Sequence, residues 1–142
     1  MSAPKPDPPF TSAGEIADLV RLFESCELPG EWWTHRAHLA VAATYLRRYP
    51  LSEATDRVRL HIQRYNASRG NYSGYHETIT VVFMRLVSRE MISGPSDLFA
   101  LIDGLVRRFP MSWLLEYYSA ARLWSVEART GFVGPDVRPL DF

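Results

Sequence analysis

The chain of 142 residues contains one cysteine, Cys26. One thiol closes no internal disulfide and builds no thiolate metal cluster, and this usage fits a reducing cytoplasm. Neither sign of charge is in excess: sixteen Lys and Arg stand against sixteen Asp and Glu. A chain with nucleic acid or an anionic membrane as its main partner would carry a basic surface, so neither is expected. No uninterrupted apolar run reaches the roughly 18 residues of a membrane span. The first ten residues, MSAPKPDPPF, have no apolar stretch and too much proline for a helix, so they read as a disordered leader rather than an export signal. Phosphate loops, dinucleotide fingerprints and a G-x-S-x-G elbow are missing too, which excludes the common nucleotide sites and a nucleophilic serine triad. A helix-turn-helix DNA reader would match the number of helices but not the neutral charge.

What remains is apolar enough to fold: 46% of the residues are hydrophobic, and the length suits one domain, residues 11–142. Proline and glycine fall between periodic segments, which makes the segmentation readable. Ser12 and Glu15 form a capping box ahead of Ile16, Leu19, Val20 and Phe23. A second helix follows Thr34 and stops before Pro50, and a third is expected to be capped by Ser52, with Ala54, Val58, Ile62 and Tyr65 on its apolar face. The fourth starts near Tyr75. A strand competes over residues 78–83, where β-branched residues are dense, but the apolar pattern continues through Leu86 and Val87 at helical spacing. Pro95 suits the first turn of a fifth helix, and Ser112 is a candidate cap for a sixth. A further helical piece covers residues 119–129, and residues 131–142 read as a closing tail. The expectation is an all-α, compact antiparallel bundle of about five to six helices. Short connections then bring the starts of helices two, four and six to one end.

Three histidines map to that end. His35 and His38 sit three apart on one helical face, and His76 lies at the start of the fourth helix. Three neutral imidazoles with an open position are a common catalytic metal arrangement, and the positive end of a helix dipole favours the neutral ring that ligation needs. Glu77 follows His76 but diverges from it by about 100° around the helix, which suits an acceptor that supports a ligating imidazole, or a general base, more than a ligand. Thr80, one turn on, is placed to orient His76. The bland alternative is that the histidines are satisfied core or cap residues. His61, between Leu60 and Ile62, reads as packing or surface. Trp33, Tyr72, Tyr75, Trp113 and Tyr117, with Trp32, map towards the same end and can line an apolar pocket for a planar or greasy ligand, or simply fill the core. Arg36 is a candidate for a substrate carboxylate or a solvated surface group. Residues 67–74 have the composition of a mobile lid.

The segment Trp33-Thr34-His35-Arg36-Ala37-His38-Leu39, followed by Tyr75-His76-Glu77-Thr78-Ile79-Thr80, resembles a family of small bacterial proteins of unassigned function. The ending Leu123-Trp124-Ser125, Glu127-Ala128-Arg129 and Pro135-Asp136 resembles it more loosely. The resemblance implies that His35, His38, His76 and Glu77 belong to a recurring pattern, and it brings no activity with it.

The first functional expectation is a metal-dependent enzyme acting on a small organic molecule, of lyase, cyclase or hydrolase type and suited to specialised metabolism. In it His35, His38 and His76 hold one divalent transition metal ion and Glu77 moves protons. Zinc is favoured; iron, copper or nickel would also accept imidazole and would allow an oxygenase. The alternatives are a small-molecule or metal binding or sensing module, and a purely structural interaction domain. Pairing of two copies through exposed Trp or Leu on helices five or six is left open.

Overall fold

A computed structural model describes residues 12–142; the expected leader, residues 1–10, lies outside them. Among the described residues the chain is helical with no strand. The helices are α1 (Ala13–Glu24), α2 (His35–Arg48), α3 (Leu51–Ser68), α4 (Glu77–Ser93), α5 (Leu98–Arg108), α6 (Ala120–Leu123) and α7 (Val126–Thr130). Two 3₁₀ segments, Gly30–Trp32 and Met111–Glu116, precede α2 and α6. No helix of the described residues is long and apolar enough to cross a membrane.

The centre of the bundle is α2. It packs against α1, α3, α4 and α5, and its buried residues run unbroken from Leu39 to Tyr45. Four of its buried residues are Ala37, Ala40, Ala42 and Ala43. Small side chains on several faces let neighbouring helices approach from different directions, which a single apolar stripe could not serve. Helix α4, over the segment where strand competed, buries Val82, Phe83, Leu86 and Val87, so the helical period decided the conformation.

Several boundaries differ from the sequence reading. Helix α3 begins at Leu51, directly after Pro50 and with no side-chain cap, rather than behind Ser52. Helix α5 is capped by Asp97, whose Oδ2 accepts from the Ala100 N–H at 2.9 Å, which leaves Pro95 outside it. The segment after Pro110 is a 3₁₀ turn with no side-chain cap instead of a Ser112-capped α-helix. The helical stretch expected over residues 119–129 is broken into α6 and α7, each begun by its own serine: Ser119 Oγ accepts from the Arg122 N–H, and Ser125 Oγ from the Ala128 N–H.

The closing tail is fastened by polar contacts. Buried Thr78 donates to the Gly131 carbonyl at 3.0 Å and accepts from the Val133 N–H at 3.1 Å. Asp136 accepts from both the N–H and the hydroxyl of Ser119. Phe142 lies against Trp113 and Tyr117, and its carbonyl accepts from Arg85.

Candidate functional site

Each expected histidine begins a helix or sits in its first turn, and each is fixed by backbone groups. Thr34 caps α2, its Oγ1 accepting from the Ala37 N–H. His35 Nε2 lies 2.9 Å from the Phe109 carbonyl at the end of α5. His38 Nδ1 lies 2.7 Å from the Thr34 carbonyl, and its ring stacks on Trp33 at 3.7 Å between centroids. A carbonyl only accepts, so each of these nitrogens carries the proton. The lone pair of a neutral ring is then on the other nitrogen: Nδ1 in His35 and Nε2 in His38.

His76 is arranged differently. It is itself the N-cap of α4, its Nδ1 accepting from the Ile79 N–H at 3.2 Å, while Nε2 donates to the Leu123 carbonyl at 2.6 Å. Both ring nitrogens are used. Thr80 orients it through the main chain, its hydroxyl donating to the His76 carbonyl. Burial lowers the pKa of all three rings, that of His38 to about 4. They are therefore neutral at pH 7.

The three rings line one cavity of about 460 Å³, a volume in the range of small-molecule sites. Its apolar wall is built by Leu39 and Ala42 of α2, Val58 and Ile62 of α3, and Phe83 and Met84 of α4. Trp33 and Tyr75, both expected as ligand contacts, also line it. Exposed Trp124 and Arg129 mark where it meets solvent.

Other expected residues lie elsewhere. Tyr72 is 84% exposed and is not part of the lining. Trp113 and Tyr117 are not part of the lining; they belong to an aromatic cluster with Phe109 and Phe142 that touches Phe83 through Trp113. Trp32 packs on the core. Arg36 bonds to Asp103 at 3.4 Å. Glu77 does not line the cavity either. Its two carboxylate oxygens receive Arg59 Nε and Nη2 at 2.8 and 2.7 Å, and Tyr75 OH donates to it at 2.5 Å. The Arg59 guanidinium holds its carboxyl below the ordinary range. In this position Glu77 anchors Tyr75.

The chemistry of the donor set bears directly on a metal. Among the described residues no group of three His, Cys, Asp or Glu side chains is gathered as a metal ion would need. His76 has no lone pair left to give in this arrangement. His35 and His38 each retain one, with the opposite nitrogen donating to a main-chain carbonyl, as is usual for metal-ligating imidazoles.

The cavity also holds polar groups that the sequence reading did not single out. Asn66 is only 9% exposed and lines the cavity, and among the described residues its side-chain amide makes no hydrogen bond. The amide opens onto the cavity rather than being sealed in the core, so it is available to a ligand. Its signal was present in the sequence: Val58, Ile62 and Asn66 follow one another at four-residue spacing, so the amide continues an apolar stripe. Asn71 joins the lining from the loop after α3, its N–H bonded to the Asn66 carbonyl at 2.9 Å. A Cβ at Gly74 would collide with the Asn71 side chain, so a glycine there lets Asn71 sit at the cavity edge.

No protein-family model, curated protein or solved structure matches this chain.

Proposed function

We propose that this chain is a binding protein for a small, largely apolar organic molecule, which it holds in the 460 Å³ cavity with His38 accepting a hydrogen bond from the ligand. The observation that carries this reading is the pairing of an apolar wall with two unspent polar groups: the His38 Nε2 lone pair and the Asn66 amide. An apolar wall supplies affinity, and a few fixed polar groups supply orientation.

The pKa of His38 separates binding from proton abstraction. An effective general base has a pKa near the operating pH, whereas His38 is held at about 4. At pH 7 such a ring is always deprotonated yet weakly basic. It accepts a hydrogen bond well and removes a proton poorly. Glu77, committed to Arg59 and Tyr75, does not make up the difference.

The metal-dependent reading has one observation in its favour. The bare nitrogens of His35 and His38 belong to rings already oriented by main-chain carbonyls, and an ion held by those two imidazoles would keep positions open for water or substrate. Zinc bound there would act as a Lewis acid on the occupant of the cavity.

Two titrations distinguish these readings. With 4-phenylbutanol and its methyl ether as probes, His38→Phe keeps an aromatic ring on Trp33 and removes the acceptor. The binding reading expects the alcohol to lose about tenfold in affinity and the ether to change little. Equal effects on both would refute the role given to His38. For the metal reading, zinc near one equivalent, lost in His35→Ala/His38→Ala that remains helical, is the expected result. Equal zinc uptake by both proteins contradicts it.

A further inference from the structure

We propose that the ligand is an organic monoanion, a carboxylate whose head is held by Arg129 at the cavity mouth while its apolar body lies against Leu39, Val58 and Ile62. This rests on the reading of the cavity as a ligand site and adds the chemical class of the ligand.

Among the described residues Arg129, on α7, is the one lining residue that carries a charge, since the three histidines are neutral. It is exposed. Its Nη1 donates to the Ser73 carbonyl over a long 3.3 Å, and among the described residues no carboxylate pairs with it. The guanidinium therefore keeps most of its donor fork for a planar, two-oxygen acceptor. A second observation points the same way. Asn66, a buried residue whose side-chain amide makes no hydrogen bond among the described residues, lines the same cavity, and Asn71 and Ser73 tie the loop after α3 to both Asn66 and Arg129. Amide N–H donors from Asn66 or Asn71 can complete the coordination of a carboxylate oxygen. The Arg129 charge also reaches His76, where it contributes to holding the imidazole neutral.

The site favours one negative charge over two. The helix starts beside the cavity each have one N–H already taken by a cap, α2 by Thr34 and α4 by His76, which weakens both as phosphate sites. With Arg129 as its one cation, the lining would leave a dianion partly uncompensated. Together with the acceptor at His38, these features describe a molecule with a carboxylate at one end, an apolar body, and an O–H or N–H donor further in.

The test is calorimetric titration of the full chain with octanoate, 4-phenylbutyrate and indole-3-butyrate, each beside its primary amide. Wild type is expected to bind at least one acid about tenfold or more tightly than its amide, with the preference shrinking as salt is raised because Arg129 is exposed. In Arg129→Gln the acid and amide should agree within about twofold, with the amide unchanged from wild type. If wild type binds an acid and its amide equally, or if the preference survives Arg129→Gln, the anion proposal is overturned while the cavity reading stands. If neither acids nor amides bind, both fall.

Discussion

His76 and Leu123 are joined by a 2.6 Å hydrogen bond from imidazole Nε2 to a main-chain carbonyl. The same ring caps α4 through Nδ1, so one side chain both starts α4 and ties it to the end of α6, 47 residues away in sequence. Because α6 leads through Trp124 into α7, this contact also positions two cavity residues, Trp124 and Arg129.

His76→Ala is expected to destabilise the fold by about 2 kcal/mol, through loss of a cap and of a partly buried bond. His76→Asn should recover the capping part and not the link to Leu123, placing it between the two in a urea titration. If His76→Ala unfolds at the wild-type midpoint, the architectural role assigned to this ring is wrong.

Stability should fall as the pH drops from about 7 towards 4. Burial holds His35, His38 and His76 below the ordinary value of 6.5, His38 at about 4. Between the folded and unfolded values the unfolded chain binds more protons, so the stabilisation is complete above 6.5 and is lost as pH descends through the folded values. His38 contributes on the order of 2–3 kcal/mol to that loss. Glu77, with its folded pKa below the ordinary 4.5, adds a separate loss only in the acid range beneath it. Urea midpoints at several pH values check this, and His38→Phe should flatten the slope above pH 4. A wild-type stability that is level from pH 7 to 5 would contradict the assignment of neutral, desolvated rings.

Glu77→Gln should cost about 1–2 kcal/mol of stability, because it weakens a two-pronged pair with Arg59 and the bond from Tyr75. A double-mutant cycle with Arg59→Met should return a coupling of about 1 kcal/mol. A protein of unchanged stability that loses a measurable turnover would instead restore Glu77 as a catalytic group.

Thr78→Val keeps the shape and removes both hydrogen bonds of a fully buried hydroxyl. The Gly131 carbonyl and Val133 N–H then lose their partner, at a cost of about 2–3 kcal/mol. Amide exchange should show residues 131–133 losing protection first; uniform loss across α4 would point to a packing defect instead.

The helical class was legible because apolar periodicity and the Pro and Gly breaks agreed along the chain. That agreement extended to the meeting of His35, His38 and His76 around one cavity. Helix starts were less legible: nothing in residue type alone separates Ser52, which does not cap α3, from Ser12 or Ser125, which do cap their helices. The roles within the site were hidden for a related reason. Tyr75, His76, Glu77, Thr78 and Thr80 look like chemistry in sequence because they are polar and close together. In space His76, Glu77 and Thr78 serve a cap, an ion pair and backbone groups whose partners, Leu123, Arg59 and Gly131, lie far along the chain, while Tyr75 and Thr80 bond locally to Glu77 and His76. Asn66 and Arg129 were overlooked because an amide near a helix end and an arginine in a short helix are ordinary until the cavity joins them. Tyr72, Trp113 and Tyr117 map to the right end of the bundle, but their direction depends on the loop and the 3₁₀ turn that carry them.

The most direct test of the central claim is methyl NMR of the full chain titrated with 4-phenylbutyrate and 4-phenylbutanol, beside Ala42→Phe, which places a ring in the cavity. Shifts concentrated on Leu39, Val58, Ile62, Ile79 and Met84, and abolished in a folded Ala42→Phe, are the result predicted for a ligand in the cavity. Shifts confined to exposed methyls such as Leu60 and Ile92, or binding that survives Ala42→Phe intact, would contradict it.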